Sequence, residues 1–325
     1  MPLPPVLITG VAGFIGNALA LRFLQAGRRV VGLDNVNAYY DVALKEARLR
    51  RLEPFSGFSF ARLDLADRDG IDALFGSHGF RTVVHLAAQA GVRYSIDNPF
   101  AYERSNLAGH LSLLEAARRC GVRHMVYASS SSVYGDRPLD GGGFKETDPV
   151  DLPVSLYAAT KRSGELMSTA YAKLYGFPLS GLRFFTVYGP WGRPDMAYYS
   201  FTQKILAGEP IEVFGEGRMA RDFTFIDDIV DGVVGVLDHP PAAGGHEIYN
   251  IGDSDPVGLM EMISTLEAAL GVEARKVMRP MQPGDVTATF ADISKLKALT
   301  GYQPKVPLAQ GLKAFVGWYR PYHGL

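Results

Sequence analysis

Tyr157 and Lys161 stand four residues apart in Tyr157-Ala-Ala-Thr-Lys161, so a helix through this segment puts phenol and ammonium on one face. A free phenol titrates near ~10 and is a poor base at neutral pH. A neighbouring cation favours the phenolate, and the pair therefore predicts a Tyr157 whose pKa is drawn down by Lys161 into the range where an alcohol proton can be moved. A run of hydroxyls, Ser129 to Ser132, precedes Val133-Tyr134-Gly135, and Ser130 could bridge a bound alcohol and Tyr157. Serines also cap strand ends, and Tyr-x-x-x-Lys recurs by chance in a chain with 16 tyrosines. The elements around them must decide.

Those elements alternate. Val6–Thr9, Arg29–Leu33, Phe58–Leu63, Thr82–Leu86, His124–Ser129 and Leu179–Phe185 read as buried strands. Phe14–Ala26, Ala101–Arg119 and Tyr157–Tyr175 have helical periodicity. The pattern predicts an α/β protein of Rossmann type, a doubly wound parallel sheet covered on both faces. Gly10-Val-Ala-Gly13-Phe14-Ile15-Gly16 joins the first strand to the first helix, as a dinucleotide site requires: a tight turn, close backbone approach and helix N-terminal amides for a pyrophosphate. Asp34, ahead of Asn35, ends the second strand and would accept from a ribose 2′-hydroxyl while repelling a 2′-phosphate, which favours NAD over NADP. Asp64-Leu65 could meet the adenine or simply cap a loop, and Leu86-Ala87-Ala88 lets backbone approach the cofactor. Lys161 could also reach a cofactor ribose. His85 reads as a packed residue. After Tyr188 the rhythm changes to a smaller C-terminal α/β lobe; Phe223–Leu237 reads as a return to the main sheet, a strand and then a helix, and His246–Ile251 as one more strand.

Bulk properties exclude several classes. A formal net charge of −1 over 325 residues gives no pull toward nucleic acid or membrane. Cys120 is the one cysteine, so there is neither an intrachain disulfide nor a cysteine metal cluster, and no metal is expected. With no signal-peptide pattern at Met1–Pro5, and with apolar runs at Val83–Ala88 and Val230–Leu237 too short for a bilayer, a cytoplasmic protein is expected.

The glycine turn, Asp34, the serine run, Tyr157-x-x-x-Lys161 and Arg183-Phe-Phe-Thr-Val-Tyr-Gly-Pro190 together resemble the extended short-chain dehydrogenase/reductase superfamily over nearly the whole chain. Within it, Ala90–Ser95, Ser155–Lys161, Gly189–Ala197 and Ala220–Thr224 are similar to UDP-glucuronate 4-epimerases, which interconvert UDP-glucuronate and UDP-galacturonate. The resemblance implies Ser130, Tyr157 and Lys161 as catalytic residues, Asn106 as a support at the cofactor site, and Arg221 as a diphosphate or ribose contact. It places Gln203 to Phe214, with Val213, in the uridine pocket. It implies an NAD-binding domain of residues 1–186 plus 223–252, a nucleotide-sugar domain of 187–222 plus 253–325, and a homodimer paired through the helices at 101–119 and 157–175. Gln282 stands where many relatives bind diphosphate with arginine; Arg279 is the nearby substitute.

The chemistry that follows depends on what is missing. Related dehydratases carry Asp-Glu where this chain has Ser131 and Ser132, and decarboxylases a glutamate at the Ser132 place; two neutral hydroxyls suit neither elimination nor carbon–carbon cleavage. That leaves epimerisation through a 4-keto sugar, with a UDP-hexose 4-epimerase or UDP-glucuronate decarboxylase as the alternatives. A keto-uronate loses CO₂ when its carboxylate stands perpendicular to the carbonyl plane. Ser131, Ser132, Thr186 and Arg193 are therefore read as a clamp holding the carboxylate near that plane, through a bidentate guanidinium, with Arg93 as a second cation. Thr186 replaces the asparagine usual in neutral-hexose epimerases.

Overall fold

The computed structural model describes residues 4–137, 142–281 and 288–325. In its first half β1 (Val6–Thr9) leads to α1 (Phe14–Gln25), β2 (Val30–Asp34) to α2 (Val42–Arg50), β3 (Phe58–Arg62) to α3 (Arg68–His78), and β4 (Thr82–His85) to α4 (Tyr94–Asp97), α5 (Pro99–Tyr102) and α6 (Gly109–Arg119). Next come β5 (His124–Ser130), α7 (Leu156–Tyr175) and β6 (Leu179–Phe184). The second half contains β7 (Thr186–Tyr188), α8 (Ala197–Leu206), β8 (Ile211–Phe214), β9 (Ala220–Phe225), α9 (Ile226–Asp238), β10 (His246–Ile251), β11 (Pro256–Gly258), α10 (Leu259–Leu270), β12 (Lys276–Arg279), β13 (Ala288–Thr289), α11 (Ser294–Thr300) and α12 (Leu308–His323).

Seven strands form one sheet in the order β10-β6-β5-β4-β1-β2-β3, every neighbouring pair parallel. Its strands are buried on both faces because alternate residues serve different cores. Val6 and Ile8 join the cluster under α1 and α9, while Leu7 joins the one under α3 and α6. The chain reverses winding between β1 and β4, the switch point where ligands meet the carboxyl ends of such strands.

Two expectations are corrected. The strand at Phe223 does not rejoin the large sheet: β9 pairs with β7, β11 and β13 in a separate four-stranded sheet, and only α9 returns, packing near α1 and β5. Nor is Ala101–Arg119 one helix. A π-helical segment, Glu103–Ala108, interrupts it, with buried Asn106 inside. Such one-turn widenings are frequent at functional sites. Among the described residues no helix is long and apolar enough to cross a membrane.

Candidate active site

A cleft of about 970 Å³ runs from the glycine turn across the carboxyl ends of β1, β2, β4 and β5 to the second lobe. Gly10 has φ +74°, and a Cβ there would sit 2.7 Å from the Ala87 nitrogen; one on Gly16 would sit 2.2 Å from the Gly10 oxygen. These contacts require glycine and hold the turn flat against β4. Gly13 begins α1 without a side-chain cap, so Phe14 and Ile15 bring helix N-terminal amides to the cleft wall. At the end of β2, the Asp34 carboxylate accepts from Val36 N (2.8 Å) and Ala12 N (3.1 Å), and burial raises its pKa against the pull of those amides. Asn35 lines the same wall and donates to Asp64 (3.3 Å), which also accepts from Ala66 N and Arg104. Asp64 therefore caps its loop as well as lining the cleft beside Leu65, Leu86, Ala87 and Ala88. The donor and acceptor set fits a dinucleotide.

His85 lies behind this wall. It is buried, meets Thr9 Oγ1 through Nδ1 at 2.8 Å and stacks on His110, and burial pushes its pKa well below the ordinary value. It is a packed residue, as expected.

The candidate reacting groups meet where β5 ends and α7 begins. Ser155 caps α7, its hydroxyl accepting from Ala158 N at 3.1 Å, which sets Tyr157 in the first turn facing the serine run. Ser130 Oγ receives Ser132 N (3.2 Å) and donates to Ser132 Oγ (3.1 Å). The expected electrostatics is corrected. Tyr157 is held above its ordinary pKa, because burial outweighs the Ser130 hydroxyl and the Arg193 charge that favour the phenolate. Lys161 is not among the groups that dominate that balance: its Nζ lies 6.0 Å from the Tyr157 ring centre and donates to Ala128 O at 2.9 Å. Burial lowers Lys161 itself to about 8. A shared helix face does not bring the two heads together, because the lysine stem extends to the β5 carbonyl.

Asn106 supports the site from behind the wall rather than touching the cofactor space. Its amide brackets the Gln89 backbone (2.8 and 3.0 Å) and donates to Thr160 Oγ1 (3.0 Å), tying the loop after β4 to α7.

Toward the second lobe, Ser131, Ser132, Thr186, Arg193, Arg93, Phe214 and Arg221 all line the cleft. Arg93 lies over the Phe214 ring at 5.4 Å. Arg193 does not present an open fork: Nε and Nη2 donate to the two oxygens of Asp195 at 3.0 and 2.8 Å, and Tyr39 donates to the same carboxylate at 3.1 Å. The Arg193 edge expected for a ligand is thus taken up within the loop. Val213 is fully buried, since strand alternation turns Glu212 and Phe214 to the cleft instead. Gln203 faces solvent, while Ser200, Phe201 and Lys204 on the same helix line the site. Gln282 lies outside the described residues; Arg279 pairs with Glu212 at 3.1 Å. Tyr39, Asp195, Lys204 and Glu212 were missed from sequence. Asp195, two residues from Arg193, was the one with a local signal.

The sequence pattern of the NAD dependent epimerase/dehydratase family matches residues 6–252. The chain belongs to that family. Within the family, a probable UDP-glucuronate 4-epimerase of Rhizobium meliloti is 45% identical over 96% of both chains. UDP-glucuronate 4-epimerase 1 of Arabidopsis thaliana is 46% identical over 98% of this chain and 77% of its own. The solved structure of the UDP-glucuronic acid 4-epimerase of Bacillus cereus, in complex with UDP-glucuronic acid and NAD, superposes with a TM-score of 0.91 at 36% identity, covering 98% of this chain and 99% of that one.

Proposed function

We propose that this family member is an NAD-dependent UDP-glucuronate 4-epimerase, interconverting UDP-glucuronate and UDP-galacturonate without net redox and without loss of CO₂. The observation that carries it is the pairing of the Ser130–Tyr157 edge with Ser131, Ser132, Thr186 and Arg193 in one cleft, beside a turn built for a dinucleotide. Relatives of nearly full coverage named for this activity support it. Gly10, Gly13, Gly16, Asp34 and Lys161 would hold NAD, which when bound would supply a reversible acceptor for the C4 hydride. Tyr157 takes the C4 hydroxyl proton, with Ser130 bridging phenol and sugar and the Arg193 charge favouring the phenolate. Arg93, Phe214 and Arg221 would hold the nucleotide end. The sugar would then turn to present its other face, while Ser131, Ser132 and Thr186 would hold the carboxylate near the carbonyl plane, beside the charge of the Asp195-paired Arg193. Residues 1–186 and 223–252 are read as an NAD-binding part and 187–222 with 253–325 as a nucleotide-sugar part, with β9, which straddles that boundary, pairing in the smaller sheet.

Exposed apolar residues on the paired helices, Phe100 on α5 at 80% and Leu166 on α7 at 54%, support a homodimer joined there. The single Cys120 suits a cytoplasmic setting.

Incubation with UDP-glucuronate, followed by NMR, should show UDP-galacturonate with no accumulated NADH. Stoichiometric CO₂ would instead make the protein a decarboxylase. Tyr157→Phe should lower turnover by about 10²- to 10⁴-fold, the usual contribution of a positioned acid–base group.

A further inference from the structure

Arg48 in α2 has no exposed surface, yet among the described residues no carboxylate accepts from it. Its guanidinium donates from Nε and Nη2 to Trp191 O (3.0 and 2.7 Å) and from Nη2 to Gly192 O (2.9 Å). From Nη1 it donates to Ala12 O (3.0 Å) and to the Tyr40 hydroxyl (2.6 Å). Burying a full charge is costly unless hydrogen bonds satisfy it, and here every nitrogen has an acceptor. The carbonyls come from two distant segments. Ala12 lies inside the glycine turn, and Trp191-Gly192 immediately precede Arg193.

The second segment needs such a hold. Trp191 has φ +66°, a conformation that costs a bulky residue, and a Cβ on Gly192 would fall 1.8 Å from the Tyr198 oxygen. Arg51, one turn further along, covers the Trp191 ring at 4.6 Å and donates to Asn17 Oδ1. Asn17 in turn donates to Arg48 O at 2.8 Å.

We infer that Arg48 is a positioning residue: its fork locks the loop carrying Arg193 onto the glycine turn, so the uronate-binding end is built on the dinucleotide-binding one. This rests on the proposed reading for the role of Arg193, and on geometry alone for the tie itself. Only a planar fork spans three carbonyls at once; a lysine keeps the charge but reaches fewer.

Arg48→Lys tests it in the cofactor-loaded protein. Calorimetric titrations with UDP-glucuronate and with UDP separate the sugar-acid end from the nucleotide end. UDP-glucuronate should bind about tenfold more weakly, as for one misaligned charge-assisted hydrogen bond, while UDP binding is unchanged. Equal weakening of both, or of neither, overturns the assignment. In a Trp318→Phe background Trp191 is the one tryptophan left. Its emission should shift to the red and become more accessible to acrylamide on Arg48→Lys; unchanged emission also overturns the tie. Should the lysine variant not fold, Tyr40→Phe removes one acceptor from the same guanidinium. It should shift both readouts in the same direction to a smaller extent, and unchanged readouts there sink the inference equally. If the wild type binds UDP-glucuronate no better than UDP-glucose, the uronate reading fails, while the emission measurement still decides the role of Arg48.

Discussion

Lys161 and Tyr157 occupy one face of α7 but answer to different surroundings, and a pH series can separate them. Burial holds Lys161 at about 8 against an ordinary 10.5. Between those values the unfolded chain keeps the proton and the folded protein has released it, so this group makes stability rise with pH across that window. The stability difference between wild type and Lys161→Met, read from urea unfolding, should therefore move in the wild type's favour from pH 8 to about 10.5. A difference flat in pH would show that Lys161 titrates normally. The sequence pointed to Tyr157, Lys161 and Ser130 because they are chemically distinctive types at fixed offsets, and all three line one cleft. It did not show how Tyr157 is tuned, because desolvation and the approach of Arg193 arise only when separate segments are brought together.

At the scale of elements, α7 is stapled to the sheet by one carboxylate. Glu165 accepts from Arg183 on β6 at 2.8 and 2.9 Å, from Ser129 on β5 at 2.7 Å and from Arg162 at 3.0 Å, with its side chain 1% exposed. Removing one partner of a buried pair leaves an uncompensated charge, so Glu165→Ala should cost about 3–5 kcal/mol in denaturant unfolding. Replacing Glu165 and Arg183 together by Met should cost less; equal losses would mean that the charges contribute nothing beyond their volume. The strands and α7 were legible because apolar period and caps agree there. Helix α2 was not. Buried Lys45 and Arg48 stand on its inner face, where a periodic pattern looks for apolar side chains, and α3 is similarly hidden among charged residues. The residue that joins the two binding loops was thus concealed by the same feature that concealed its helix. Strand β9 was read correctly as a strand and assigned to the wrong sheet, since a short apolar run carries no record of its partner.

Across the whole molecule, the cleft draws on the glycine turn, the switch-point strands and the smaller sheet, so its geometry depends on α7 and its neighbours staying in register. Those helices also carry some of the apolar side chains left outside the core. Phe100 and Leu166 are 80% and 54% exposed, and burying a side chain of this size is worth about 1.5–3 kcal/mol. In a two-fold dimer each such residue contributes from both protomers, so one substitution acts twice. Leu166→Glu would place two carboxylates at the proposed seam, where a buried unpaired charge is strongly unfavourable. Sedimentation velocity should show the wild type as a dimer and this variant as a monomer. Because Leu166 lies outside the cleft lining and the core clusters, the monomer's unfolding midpoint should fall only by the lost association. A wild type that sediments as a monomer, or a variant that remains a dimer, would place the pairing surface elsewhere or remove it.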